Sequence, residues 1–248
     1  MYKNKTAIIT GSYKGIGRCI ALKLAQNGFN TVINYRNNSA VEAAEAVADK
    51  CRACGVKSAV FHADVSMEAE CEALVSFAAD RFGSVDVLVN NAGIVSYKLF
   101  TSVKEDDYRK LIACDQDSVF FMMKHAAKLM KKQRSGRIIN IASMAGVNGF
   151  AGGVIYSAAK GAVIAMTKAA SKELSGRGIT VNAVAPGMID TNLDAVVDPN
   201  QTEKILDNIG MGRYGTPDEV AGAVMYLASE AATYTTGAVI EIHGSMLS

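Results

Sequence analysis

Thr6-Ala7-Ile8-Ile9-Thr10-Gly11-Ser12-Tyr13-Lys14-Gly15-Ile16-Gly17 runs from a short apolar segment into a turn with three glycines. A helical apolar pattern follows at once: Ile16, Cys19, Ile20, Leu22, Leu24 and Ala25. The order strand, glycine-rich turn, helix builds a phosphate-binding element. Glycine lets the backbone approach a pyrophosphate closely, and a helix N-terminus offers unpaired N–H groups and the positive end of its dipole. The spacing is G-x-x-x-G-x-G rather than G-x-G-x-x-G. A plain glycine turn is the alternative, and the position directly after the first strand weighs against it.

The same alternation continues along the chain. Apolar runs that suit buried strands are Thr6–Thr10, Thr31–Tyr35, Ser58–His62, Val85–Val89, Arg137–Ile141, Thr180–Val184 and Ala238–Ile242. Helical patterns fall between them at 15–27, 39–54, 67–82, 105–132, 154–176, 201–209 and 217–229. Strand–helix alternation predicts an α/β fold: a Rossmann-type, doubly wound, seven-stranded and mainly parallel sheet with helices on both faces. Such sheets bind ligands beyond the carboxyl ends of their strands. The segments leaving those ends are Gly11–Gly17, Arg36, Asp64-Val65, Asn90-Asn91-Ala92-Gly93, Ser143 and Pro186-Gly187. The least regular stretch, 187–212, leaves the same edge and is expected to be either a lid over the substrate or an ordinary surface loop.

With 248 residues, half of them apolar, only three prolines and no linker-like stretch, the expectation is a single domain spanning 1–248. A net charge of +2 gives no footprint for nucleic acid or for a membrane surface. No apolar run approaches the ~20 residues of a membrane span. The first strand begins within a few residues of Met1, which leaves no room for a signal peptide, so the expected location is cytoplasmic. The five cysteines, an odd number, fit that setting. Cys51-Arg-Ala-Cys54 has C-x-x-C spacing but no second pair; a metal or redox site and a pair of free thiols are the two readings, with free thiols favoured. The three histidines are scattered, and no catalytic metal is expected.

Tyr156-Ser-Ala-Ala-Lys160 carries the chemistry. Residues four apart share a helix face, so the ammonium can lie against the phenol. A free tyrosine titrates near ~10. A fixed cation beside it favours the phenolate and brings the group toward useful acid–base behaviour. A Tyr and a Lys on an amphipathic helix are also compatible with a core-edge aromatic and a solvated charge; Ser143, upstream, and the glycine turn shift the balance toward catalysis.

Taken together, Thr10-Gly11-x-x-x-Gly15-x-Gly17, Asn90-Asn91-Ala92-Gly93, Ser143, Tyr156-x-x-x-Lys160 and Pro186-Gly187 resemble the classical short-chain dehydrogenase/reductase family over essentially the whole chain. Within that family the sequence is most similar to bacterial 3-oxoacyl-[acyl-carrier-protein] reductases. Gly136–Ser143, Arg177–Gly187 and Tyr226–Gly237 are the supporting stretches. The resemblance implies that Tyr156 donates a proton to the substrate oxygen as hydride reaches carbon, that Ser143 orients the carbonyl, and that Lys160 holds the nicotinamide ribose and acts on Tyr156. It implies dinucleotide contacts from Gly11, Ser12, Tyr13, Lys14, Gly15, Ile16, Gly17, Arg36, Asp64, Val65, Asn91, Ala92, Gly93, Tyr156, Lys160, Pro186, Gly187, Ile189 and Thr191, with Asp64 at the adenine and Thr191 at the nicotinamide amide. It further implies a homotetramer, and carrier-protein docking through Arg134 and Arg177.

Charge selects the dinucleotide. An acid about 20 positions past the glycine turn would bind a ribose 2′-hydroxyl and repel a 2′-phosphate. Here the second strand ends Asn34-Tyr35-Arg36, with no acid before Glu42, and Lys14 adds a second cation within the turn. NADP(H) is the expected cofactor. The pattern departs from the family where an asparagine usually sits in the long central helix: alignment on Ser118-Val119-Phe120 puts Asp115-Gln116 there. Asp115 is therefore expected either to replace that asparagine in a proton relay to Lys160, to restrain activity, or to lie on a solvent-facing turn. Near the C-terminus His243-Gly244-Ser245 stands where an acid followed by two glycines is common. The expected function is NADPH-dependent reduction of a 3-oxoacyl thioester. The alternatives are a dehydrogenase of free sugars, polyols or steroids, and a catalytically weakened NADP-binding protein. The glycine turn and Ser143, Tyr156 and Lys160 do not separate the substrates, whose identity is expected to lie in the 96–100 and 187–212 loops.

Overall fold

The computed structural model describes residue 2, residues 4–191 and residues 199–246. Seven strands run Thr6–Ile9 (β1), Asn30–Tyr35 (β2), Ser58–His62 (β3), Val87–Asn90 (β4), Gly136–Ile141 (β5), Ile179–Pro186 (β6) and Val239–Ile242 (β7). They form one sheet in the order β3-β2-β1-β4-β5-β6-β7, and every neighbouring pair is parallel. β1 pairs with both β2 and β4. The chain therefore turns outward in opposite directions from β1, and loops leaving β1 and β4 splay apart to open the crevice in which doubly wound sheets take ligands.

Helices cover both faces. They are Gly15–Gln26 (α1), Val41–Ala53 (α2), Glu68–Phe82 (α3), Glu105–Ile112 (α4), Ser118–Gln133 (α5), Met144–Asn148 (α6), Val154–Leu174 (α7), Pro199–Asp207 (α8) and Pro217–Ala228 (α9). Successive strand residues point to opposite faces. In β1, Ala7 and Ile9 join the core under α1, α2 and α9, while Ile8 joins the one under α3, α5 and α7. Because both faces are covered, β1, β2, β4 and β6 are buried along their whole length rather than at alternate residues, and polar residues among them such as Asn34 and Asn182 are buried too. Each fully buried Ile or Leu contributes about 1.5–3 kcal/mol of transfer free energy.

Two departures from the sequence reading matter for the site. The helix expected over 105–132 is divided: Ala113–Asp117 form a wider, π-type turn between α4 and α5. The extra residue in that turn rotates Asp115 inward, where it is fully buried, so the solvent-facing reading of Asp115 is excluded. The short α6 does not appear in the sequence pattern, since Met144-Ala-Gly-Val-Asn has neither the length nor the periodicity to announce a helix. The helix expected at 201–209 runs 199–207. Of the segment 187–212 proposed as a lid, residues 192–198 lie outside the described residues. Its two described flanks are tied down: Asp190 N donates to Gly215 O, and Met211 N to Gly244 O.

Candidate active site

The glycine turn is held by side chains reaching in from neighbouring strands. Gly11 (φ +61°) and Gly15 (φ +54°) adopt left-handed backbone that other residues rarely take. Gly11 N donates to Asn34 Oδ1 at 3.0 Å, and Asn91 Nδ2 donates to the carbonyl oxygens of Thr10 (2.8 Å) and Gly11 (3.2 Å). Thr10 Oγ1 accepts from the amides of Asn91 and Ala92. Ser12 is fully buried. Its hydroxyl donates to Ile9 O and accepts from Asn34 N, so it braces the turn from within. Gly17 is helical in backbone but crowded: a Cβ there would stand 2.5 Å from Asn91 Nδ2 and 2.7 Å from Gly11 O.

Lys14 caps α1 without a side-chain cap, leaving the first amides of the helix free for an anion. The cradle thus fits the pyrophosphate of a dinucleotide: small residues where the backbone must be approached, and a helix N-terminus with no capping side chain among the described residues. The methyl group of Thr191 stands over Gly15, at 3.8 Å from the position a Cβ would take. Two expected contacts meet on the adjacent rim, where Arg36 Nε lies 3.9 Å from Asp64 Oδ2. Asp64 Oδ1 accepts from the amide and hydroxyl of Ser66, which fixes the carboxylate. Val65 is buried, and its carbonyl accepts from Cys71 Sγ. Pro186 ends β6, and Gly187 N donates to Ile242 O; a Cβ at Gly187 would meet His243. Ile189 packs into the core.

Ser143, Tyr156 and Lys160 gather beside this cradle. Ser143 ends the loop after β5 as the N-cap of α6, and its Oγ accepts from Ala145 N at 3.1 Å. α6 lies tight on α7, since a Cβ at Gly146 would come within 2.5 Å of the Lys160 carbonyl carbon. Tyr156 sits in the first turn of α7 and, like Ile94 and Ile112, packs against the small cluster of Leu111, Ile155 and Ala159. Lys160 Nζ lies 5.7 Å from the Tyr156 ring centroid.

The ammonium is buried, donates to Ile141 O at 3.2 Å, and lies 3.1 Å from Asp115 Oδ2. The Asp115–Lys160 contact is close but not well aligned as a hydrogen bond, so its strength is that of an ion pair. The other Asp115 oxygen accepts from Ile94 N at 2.8 Å. Gly93 leaves room for the pair: a Cβ there would stand 2.8 Å from Asp115 Oδ2. Burial by itself lowers the Lys160 pKa, and it is the largest single influence. Asp115 and Tyr156 together outweigh it and hold the ammonium above its ordinary value. Next to the pair, the Cys114 thiol is pushed up to about 11, first by burial and then by Asp115.

Sequence reasoning missed the amide of Ile94, the Thr10 hydroxyl and the ring of Phe150, and it pointed to Tyr97 only as part of the 96–100 loop. Of those missed, only Thr10 carried a signal, as the last residue before Gly11. Arg134 and Arg177 lie on adjoining turns, since a Cβ on Gly178 would lie 2.6 Å from Arg134 O, and these turns precede β5 and β6. They therefore occupy the edge of the sheet opposite Ser143 and Tyr156. Among the described residues no helix is long and apolar enough to cross a membrane.

A family model described as Enoyl-(Acyl carrier protein) reductase matches residues 11–246. The chain is 41% identical over 246 residues to 3-oxoacyl-[acyl-carrier-protein] reductase FabG of Staphylococcus aureus, covering 99% of each protein. It is 43% identical over 244 residues to the 3-oxoacyl-[acyl-carrier-protein] reductase of Synechocystis, covering 98% of this chain and 97% of that one. A crystal structure from Sinorhizobium meliloti, described as a short-chain alcohol dehydrogenase, superposes with a TM-score of 0.93 at 28% identity over 98% of this chain and 96% of that one. Sequence and fold therefore agree, and the chain belongs to the short-chain dehydrogenase/reductase family of nicotinamide-dependent oxidoreductases.

Proposed function

We propose that the protein reduces the ketone of a 3-oxoacyl thioester, borne on acyl carrier protein or coenzyme A, to the 3-hydroxyacyl form with NADPH. The observation that carries this reading is the buried Lys160 ammonium set 5.7 Å from the Tyr156 ring, on the same sheet edge as the glycine cradle. When bound, the reduced nicotinamide supplies hydride to the carbonyl carbon. Reduction leaves negative charge on oxygen, which calls for a proton and an electropositive surround. The Tyr156 hydroxyl gives that proton, forming the alcohol. Ser143 Oγ uses acceptor capacity on Ala145 N, which leaves its O–H to donate to the carbonyl and orient it. Lys160, fixed by Asp115 and Ile141 O, places a positive charge beside the phenol.

NADPH rather than NADH is supported by Arg36 and Lys14 flanking the cradle; Asp64, which faces Arg36, would share its guanidinium with a 2′-phosphate. A homotetramer belongs to the same reading. Its support is apolar surface on α4–α5 (Tyr108, Phe120) and at Tyr226, whereas neighbouring Leu227 is a core residue. Carrier docking at Arg134 and Arg177 also belongs to it. Because α7 is about 30 Å long, a carrier on these arginines lies that far from the Tyr156 of the same chain, and would serve a site on another protomer. A cytoplasmic setting is supported by the five free cysteines. The segment 187–212 would cover the substrate from tethered flanks.

The test is oxidation of NADPH, followed at 340 nm, with acetoacetyl-CoA. Tyr156→Phe should lower kcat by about 10²–10⁴. Crotonyl-CoA, an enoyl thioester, is the control and should not be turned over. A second reading, reduction of a free ketone or oxidation of an alcohol, is favoured by the likeness to the S. meliloti protein described as an alcohol dehydrogenase. Turnover of simple ketones with none of acetoacetyl-CoA would favour it. Tight NADPH binding without turnover of any carbonyl would identify a weakened nucleotide-binding protein.

A further inference from the structure

The mouth of the site carries an aromatic surface that the reduction chemistry does not use. Tyr97, on the loop leaving β4, is 59% exposed, and Phe150, on the loop leaving α6, is 37% exposed. Their ring centroids are 5.5 Å apart with planes tilted by 58°, so the rings touch and form one surface. Both loops are pinned. Lys98 N donates to Gly152 O at 2.8 Å, joining the two loops beside the rings. Lys98 Nζ pairs with Asp107 on α4, fixing the first loop from its other side. The Phe150 ring lies on Gly153, where a Cβ would stand 2.1 Å from Cζ.

This surface adjoins the reacting groups. Gly153 is the residue before α7, whose first turn holds Tyr156. Ile94, at the start of the Tyr97 loop, packs against the same small cluster of Leu111, Ile155 and Ala159 as Tyr156 does. Tyr156 is also within electrostatic reach of the Tyr97 phenol, whose pKa is raised first by partial burial and then by Tyr156. Exposed aromatic rings held rigid next to a reacting carbonyl have one obvious occupant, the apolar part of the molecule that bears it.

We propose that Tyr97 and Phe150 form a fixed aromatic wall that binds the hydrocarbon tail on the far side of the substrate ketone and selects substrates by tail length. This inference rests on the reductase reading of the same site and deepens it by naming the substrate class: ketones with an extended alkyl or aryl tail, in preference to those with a methyl group alone. A methylene moved onto such a surface contributes up to about fourfold in kcat/KM.

The experiment measures kcat/KM with NADPH for 3-oxoacyl-CoA thioesters of four, six and eight carbons, and for free methyl ketones with matching tails. Wild type should show kcat/KM rising by about two- to fourfold per methylene. Phe150→Ala and Tyr97→Ala should flatten that gradient, while Tyr97→Phe keeps it. Gly153→Ala is the sharper variant: its backbone (φ −122°) accepts alanine, and the three atoms nearest the new methyl group all belong to the Phe150 ring. It should reproduce Phe150→Ala with the fold intact by melting temperature. A gradient with free ketones but no thioester turnover would support the wall and sink the thioester reading. The wall is overturned by the absence of a gradient in both series, or by a gradient that survives in Phe150→Ala and Gly153→Ala. An assembly mass altered in those variants with the gradient unchanged would assign the surface to a subunit contact, and also overturns it.

Discussion

Asp115 Oδ2 stands 3.1 Å from Lys160 Nζ, and both side chains are sealed from solvent by the π-type turn at Ala113–Asp117 and by α7. Removing one partner of a buried pair leaves an uncompensated charge, which costs about 3–5 kcal/mol. Asp115→Ala should therefore lower the melting temperature by roughly 6–20 °C, at about 2–4 °C per kcal/mol for a domain of this size. The raised Lys160 pKa means that its stabilising contribution is present below the ordinary lysine value, near ~10.4, and is lost as pH rises through the higher folded value. The loss on mutation should accordingly be undiminished across neutral pH. Thermal melts at pH 6, 7 and 8 check this; equal melting temperatures for wild type and Asp115→Ala would refute it.

Asp115→Asn separates charge from geometry. Its amide oxygen can still accept from Ile94 N, but the countercharge facing Lys160 is gone. Burial, the largest influence on Lys160, then acts with less opposition, and the ammonium deprotonates at lower pH. The alkaline limb of the pH–rate profile should move acidward. An unchanged profile with unchanged kcat would show that the position takes no part in holding the Lys160 charge.

Cofactor choice follows from the rim of the cradle. Arg36 already faces Asp64 at 3.9 Å, so a 2′-phosphate would share the guanidinium with a fixed carboxylate. Arg36→Asp with Lys14→Ala should raise the KM for NADPH far more than that for NADH, whereas Asp64→Asn should favour NADPH by releasing Arg36. Equal losses with both cofactors would remove the charge argument.

The sheet was legible because each strand combines an apolar run with flanking turn residues, and buried parallel strands leave that trace. The glycine turn was legible for the same local reason. Asp115 was legible as a departure but not as a buried partner, because a π-type turn differs from an α-helix by one residue in register, which hydrophobic periodicity does not resolve. Tyr97 lay within the 96–100 loop expected to carry substrate identity, but nothing marked that residue out, and Phe150 left no signal. Each is an aromatic residue in an irregular loop, and their adjacency comes from Lys98 N bonding Gly152 O across 54 positions of sequence. Arg134 and Arg177 could be paired from sequence, but their distance from the reacting groups follows only from the strand direction.

That distance makes the docking reading testable. Arg134→Glu with Arg177→Glu should raise KM for an acyl-carrier substrate and leave acetoacetyl-CoA turnover close to wild type, since neither side chain is near Tyr156. An unaltered carrier KM would remove these arginines from docking.

Thiol chemistry reports on the integrity of the buried pair. Cys54 is exposed, whereas the Cys71 thiol is pushed up to about 12 by burial and then by Asp64, and Cys114 to about 11. The thiolate is the reactive form, so at pH 8 a maleimide should modify Cys54 rapidly and leave Cys71 and Cys114 intact. Cys114 adjoins Asp115 within the π-type turn, so any opening that breaks the ion pair with Lys160 exposes it. In Asp115→Ala, labelling of Cys114 should accelerate while that of Cys71, on the buried face of α3, stays slow. Peptide mapping of the modified cysteines measures both rates. Parallel acceleration at the two sites would mean that the mutation loosens the whole domain rather than the turn that holds Lys160.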